Sequence, residues 1–237
     1  MIVQPSPNFD DRPPEGRIKY LILHYTGMTT EETALKRLCD AGSKVSAHYM
    51  IAEDGRVFSL VAEDRRAWHA GVAAWEGDTD INGLSIGVEM VNPGHDGPNY
   101  CGNYRPFPPA QMAALVELSR DILSRHRIAP WHVLGHSDVA PARKSDPGEL
   151  FDWQGLASEG VGLWPEMSGD KPADAASFQQ KLADYGYKIE ITGTLNSQTH
   201  AVVRAFQRHF RPADMSGTFD RQCHSILDVL LDTRKDY

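Results

Sequence analysis

The chain has 237 residues and a formal net charge of −8, with 24 Lys and Arg against 32 Asp and Glu. That length suits one large domain or two small ones, and 41% hydrophobic with 24% charged residues is an ordinary globular composition rather than a disordered one. The acidic balance excludes a protein that grips phosphate backbones through a basic stripe, so no nucleic-acid partner is expected, and no apolar run approaches the ~20 residues of a membrane span.

Met1 to Pro7 has neither the basic start nor the apolar stretch of an export signal. The expectation is a cytoplasmic protein, with a periplasmic or outer-membrane-associated location as the alternative if a signal has been removed. Tyr20 to Thr26 reads as a strand of aromatic and aliphatic residues, closed by Gly27. Thr29 with Glu32 forms a capping-box pattern, and Ala34, Leu35, Leu38 and Cys39 give the helical stripe behind it. Ala47–Ala52 and Arg56–Val61 flank Glu53-Asp54-Gly55, the chemistry of a hairpin turn. Leu84 to Val91 alternates: Leu84, Ile86, Val88 and Met90 share one face, Ser85, Gly87 and Glu89 the other. Pro108 and Pro109 open a helix, and Val133-Leu134 is a short strand ending at Gly135-His136. Strands and helices are mixed, so the fold class is α/β, with a mixed central sheet flanked by helices.

Near residue 165 the composition changes. All five Trp lie at or before Trp164, and residues 170–237 carry 9 basic and 9 acidic groups, which leaves the whole −8 on the first part. The expected division is a catalytic domain over 1–166, a Pro- and Gly-containing linker over 167–173 and a three-helix bundle over 174–237. The bundle helices run from Ala175 to Tyr187, Asn196 to Phe210 and Asp220 to Leu231. A monomer is the default. Cys39, Cys101 and Cys223 are too few and too scattered for a disulfide framework or a Cys-rich metal site.

Histidine is the informative residue type, with ten in the chain and seven before residue 165. His24 ends a strand, His136 follows another, and Asp146 sits in a loop held by Pro147 and Gly148. Two imidazoles and a carboxylate suffice for a zinc site with one position open to water, although ligands this far apart have no diagnostic spacing. His132 and His136 are four apart, but on a strand that separation is about 13 Å, too far to share an ion. His48 and His69 read either as pocket residues or as satisfied core histidines. His95, His126, His200, His209 and His224 read as surface residues. Glu89 shares a strand face with Ser85 and Gly87 and is either a general base in a cavity or a solvated strand residue. Lys144 is either an oxyanion partner or a surface lysine. P-loop, GxGxxG and HExxH signatures are absent.

Six segments appear in order: Leu23-His24-Tyr25-Thr26, Ser46-Ala47-His48-Tyr49, Trp68-His69-Ala70-Gly71, Ser85-Ile86-Gly87-Val88-Glu89, Gly135-His136-Ser137-Asp138-Val139-Ala140-Pro141 and Arg143-Lys144-Ser145-Asp146-Pro147-Gly148. Together they resemble the zinc-dependent N-acetylmuramoyl-L-alanine amidases of the amidase-2 type, relatives of peptidoglycan recognition proteins, over roughly residues 15–165. The tail, through Leu182, Tyr185-Gly186-Tyr187, Gly193, Thr199 and Ala205-Phe206-Gln207, is similar to a three-helix peptidoglycan-binding domain. Both parts together look like AmiD-type amidases.

The resemblance implies Zn2+ held by His24, His136 and Asp146, Glu89 as the carboxylate that activates water, and Lys144 as the group that assists the oxyanion. It implies Trp68, His69 and Asn92 as the wall of a substrate cleft. The implied partner is peptidoglycan or a muropeptide fragment, with ordinary or 1,6-anhydro muramic acid. The implied reaction is hydrolysis of the amide between the lactyl group and L-alanine of the stem peptide. A recognition protein that holds muropeptides without cleaving them is the alternative.

Overall fold

Tyr20-Leu21-Ile22-Leu23-His24-Tyr25 shows no hydrophobic alternation because both of its faces are covered, and all six residues are buried. A computed structural model of the chain describes residues 1–14, 17–97, 100–166 and 174–235. In chain order the elements begin with β1 (Ile2–Val3), β2 (Phe9–Asp11), β3 (Tyr20–Tyr25), α1 (Glu31–Leu38), β4 (Tyr49–Ile51), β5 (Val57–Ser59), β6 (Arg65–Ala67), α2 (Ile81–Leu84) and β7 (Ser85–Met90). They continue with β8 (Asp96–Gly97), β9 (Tyr100–Cys101), α3 (Pro109–Arg125), β10 (Val133–Gly135), α4 (His136–Val139) and α5 (Trp153–Ser158). The tail adds α6 (Ala175–Tyr185), α7 (Ser197–Phe210) and α8 (Arg221–Lys235). None of these helices is long and apolar enough to cross a membrane.

The central sheet runs β1-β5-β4-β7-β3-β10 and is mixed: β4 and β5 pair antiparallel, the other neighbours parallel. Register decides what the sheet presents. His24 on β3 stands opposite Glu89 on β7, and Gly135 on β10 stands opposite Leu23, so His136 leaves the sheet beside His24. Leu21, Leu23, Ile86 and Val88 face Leu115, Leu118 and Ile122 of α3 in one core. The opposite face carries Tyr20, Ile22 and His24 beside Ser85, Gly87 and Glu89. The alternation read in 84–91 is therefore real, and its polar face is turned to the interior rather than to solvent.

The cap of α1 differs from the expected capping box. Thr30, extended at φ −136° and ψ 152°, accepts from the Thr33 amide at 3.2 Å, so the helix starts one residue later than a Thr29 cap requires. The two- and three-residue strands β1, β2 and β6 and the short α2 and α5 escape the sequence reading because they are too short to show a period. Cys39 and Cys223 are free thiols.

The three expected tail helices are present, while the expected linker 167–173 lies outside the described residues. These helices do not form a separate core. Tyr20, Trp75 and Ile81 of the first part share one buried cluster with Phe178, Tyr187 and Phe206 of the tail. Trp75 meets Tyr185 and Tyr187 edge to face, with centroids 5.8 and 4.7 Å away.

Candidate metal centre

The C-terminal ends of β3 and β10 and the loop before Pro147 bring three donor atoms together. His24 Nδ1 lies 3.0 Å from His136 Nδ1, and Asp146 Oδ2 lies 2.9 and 3.0 Å from the two nitrogens. All three residues are buried. The approach needs a glycine at 135, since a Cβ there would stand 2.8 Å from Pro147 Cδ, and the Ser137 amide then ties the loop down by donating to the Asp146 carbonyl at 2.9 Å. His136 Nε2 donates to the Ala70 carbonyl at 2.9 Å, which turns Nδ1 toward Asp146.

Burial disfavours charge on Asp146, but His136 and then His24 outweigh it and hold the carboxyl well below its usual range. Burial, followed by repulsion from His136, pushes His24 down to about 4, so its ring is neutral near pH 7. Neutral imidazole beside ionised carboxylate is the protonation pattern a metal ion requires. Asp146 Oδ1 is buried without a hydrogen-bond partner among the described residues. The donor set thus fits a metal ion bound by three protein ligands.

A cavity of about 280 Å³ opens on this centre, lined among others by Glu89, Lys144, Trp68 and His136. Glu89 Oε2 is likewise buried without a hydrogen-bond partner among the described residues. Burial, and then the charge of Asp146, lifts the Glu89 carboxyl well above its usual range, with Lys144 opposing. A carboxyl raised toward neutrality is suited to take up and return a proton. Arg37 of α1 also reaches the cavity, and sequence reasoning passed it over because it lies on the polar side of a helical stripe.

The amidase-2 family, described as N-acetylmuramoyl-L-alanine amidase, matches residues 14–149, and a peptidoglycan-binding domain family matches residues 171–227. N-acetylmuramoyl-L-alanine amidase AmiD of Escherichia coli is 40% identical over 233 residues, covering 91% of this chain and 83% of AmiD. The chain belongs to the N-acetylmuramoyl-L-alanine amidase family. The amidase is also similar to 1,6-anhydro-N-acetylmuramyl-L-alanine amidase AmpD of Haemophilus influenzae, 32% identical over 63% of this chain and 86% of AmpD. A solved E. coli AmiD complex with anhydro-N-acetylmuramic acid-L-Ala-D-gamma-Glu-L-Lys superposes with a TM-score of 0.82 at 34% identity, covering 95% and 98% of the two chains. AmpDh3 of Pseudomonas aeruginosa in complex with anhydromuramic pentapeptide superposes with a TM-score of 0.84 at 32% identity, covering 96% and 97%.

The other sequence-derived residues of the amidase divide. Trp68 stands on the cavity wall, with its amide anchored to Ser46 Oγ at 2.8 Å. His69 borders the cavity, but both of its ring nitrogens are engaged by protein groups: His24 Nε2 at 3.0 Å and Ser85 Oγ at 3.1 Å. Asn92 is not part of the cleft. It is fully buried, donates from Nδ2 to the Arg105 carbonyl and accepts the Gly94 amide on Oδ1, which makes it a brace for the loop after β7.

His48 is a core histidine whose Nδ1 accepts the Gly87 amide at 2.9 Å, and burial and then Arg12 push it down to about 3. His132 pairs with Glu76 away from the centre. His209 and His224 are buried rather than superficial. His209 meets Asp138 and stacks on Trp153, and His224 packs beside Lys181, because the helices carrying them turn these faces into shared interfaces.

Proposed function

We propose that the amidase hydrolyses the amide between the lactyl group of N-acetylmuramic acid, ordinary or 1,6-anhydro, and L-alanine of the stem peptide, in peptidoglycan turnover or recycling. The observation that carries this reading is the β3–β7 register, which stands Glu89 opposite His24 at the edge of three converging donor atoms. We assign His24, His136 and Asp146 as ligands of Zn2+, the ion that suits two imidazoles and a carboxylate with an open position. When bound, zinc supplies Lewis-acid polarisation of the substrate carbonyl.

Glu89 takes a proton from the attacking water and returns it to the alanine nitrogen. The water oxygen adds to the lactyl carbonyl carbon, the C–N bond breaks, and the products are a carboxylic acid and a free amine. Lys144, on the same cavity wall, places positive charge where the carbonyl oxygen gains negative charge. Trp68 offers an apolar surface to the sugar or the peptide. The anhydro sugars bound to the solved E. coli and P. aeruginosa relatives support a fragment rather than an intact glycan strand as substrate.

Mass spectrometry of products from matched anhydro and ordinary muropeptides tests the proposal. Release of free stem peptide is expected, and binding without release would return the protein to the recognition alternative.

A further inference from the structure

Behind His24 lies a chain of hydrogen bonds whose direction is fixed from its far end. Ser85 Oγ lies 2.5 Å from the Ile81 carbonyl, which accepts only, so the single Ser85 hydroxyl proton is given there. The 3.1 Å contact between Ser85 Oγ and His69 Nε2 is then donated by His69. Among the described residues no carboxylate touches His69, whose two ring partners are a hydroxyl and an imidazole, so its ring carries one N–H. Its Nδ1 is left as an acceptor, and the 3.0 Å contact with His24 Nε2 is donated by His24. That leaves the lone pair of His24 Nδ1 facing Asp146 Oδ2 and His136 Nδ1.

We infer that His69 and Ser85 are positioning residues that set the tautomer and ring orientation of His24 for metal binding, and that His69 is not a substrate contact. This rests on the reading of His24 as a metal ligand. The seat of His69 is built into the sheet. A Cβ at position 87 would come within 2.5 Å of the His69 ring, so glycine on β7 is what admits the imidazole beside His24. The His24 and His69 rings meet edge to face with centroids 5.1 Å apart, an arrangement that holds the His24 plane as well as its proton.

The test is zinc affinity of the full chain, by competition with a chromophoric chelator, combined with 15N NMR of the histidine side chains. Loss of an outer partner of a ligating histidine costs about 10–100-fold in metal affinity. His69→Ala is expected to lose that much, and Ser85→Ala to lose less while giving His24 a mixed tautomer signature. In His69→Asn an amide oxygen takes the place of Nδ1, so affinity is expected to return to within a few-fold of the parent. Retention of parental affinity and of the Nε2–H signature of His24 in His69→Ala would overturn the inference. If His69→Ala does not fold, the Asn and Ser85 variants decide it by the same readouts. Failure of the parent chain to bind zinc would instead overturn the metal assignment itself.

Discussion

The three donor atoms of the candidate metal centre all belong to buried residues. Asp146 is held ionised chiefly by His136 against its own burial, and His24 is neutral because its burial and the repulsion of His136 outweigh the pull of Asp146. With three proposed ligands there is no spare, so Asp146→Ala is expected to lower zinc affinity by more than about 100-fold, beyond the loss typical of an outer partner. In the proposed mechanism Glu89 supplies a proton-transfer group and no ligand. Glu89→Ala is expected to keep zinc and lose about 10²–10⁴ in kcat, measured with saturating muropeptide; near-parental turnover would remove Glu89 from the mechanism. At this scale the sequence was readable only where several motifs agreed in order. His24, His136 and Asp146 have no diagnostic spacing, and a loop-bracing Asn92 looks the same in sequence as a cleft residue, since only the fold shows where its amide points.

The elements are held to one another by a few charged junctions, of which Glu63 is an instructive case. It lies between β5 and β6 and accepts hydrogen bonds from Tyr49 of β4, Arg125 at the end of α3, and His126, all at 2.7 Å. Burial opposes its ionisation, but the bonds from Arg125, His126 and Tyr49 outweigh this and hold the carboxyl down to about 2. Its folded-state value is below the ordinary 4.5, so its contribution is fully present above about pH 4.5 and is lost as pH falls toward about 2. Glu63→Gln is therefore expected to cost about 1–3 kcal/mol at pH 7 in denaturant unfolding, and the difference from the parent is expected to shrink on acidification. A pH-independent difference would count against this account of the junction. The long elements β3, β7 and α3 were legible from composition and alternation. The register that stands His24 opposite Glu89 was not, because parallel strands far apart in sequence leave no local record of how they align.

As a whole molecule, the amidase closes its helical tail onto the unit that carries the candidate metal centre. Asp138, buried two residues after His136, accepts from the Tyr187 hydroxyl at 2.7 Å, from His209 Nδ1 at 2.8 Å and from the Gly135 amide at 2.8 Å. Tail and sheet thus meet on the short helix that begins with a proposed ligand. His209→Ala removes one of the three buried donors to Asp138 and is expected to cost about 1–3 kcal/mol in denaturant unfolding. With one shared core, calorimetry of the full chain is expected to show a single unfolding transition; two separated transitions would show that the tail folds independently. The composition change near residue 165 revealed the tail but not this union, because an aromatic on an amphipathic helix looks the same whether it fills its own bundle or a neighbour's core. The most direct measurement strips the full chain of metal with a chelator, restores zinc stepwise and follows stem-peptide release from an anhydromuropeptide. The account predicts loss of turnover on stripping, recovery complete at one zinc ion per chain, and no recovery in Asp146→Ala. Undiminished turnover by the thoroughly stripped chain would contradict it.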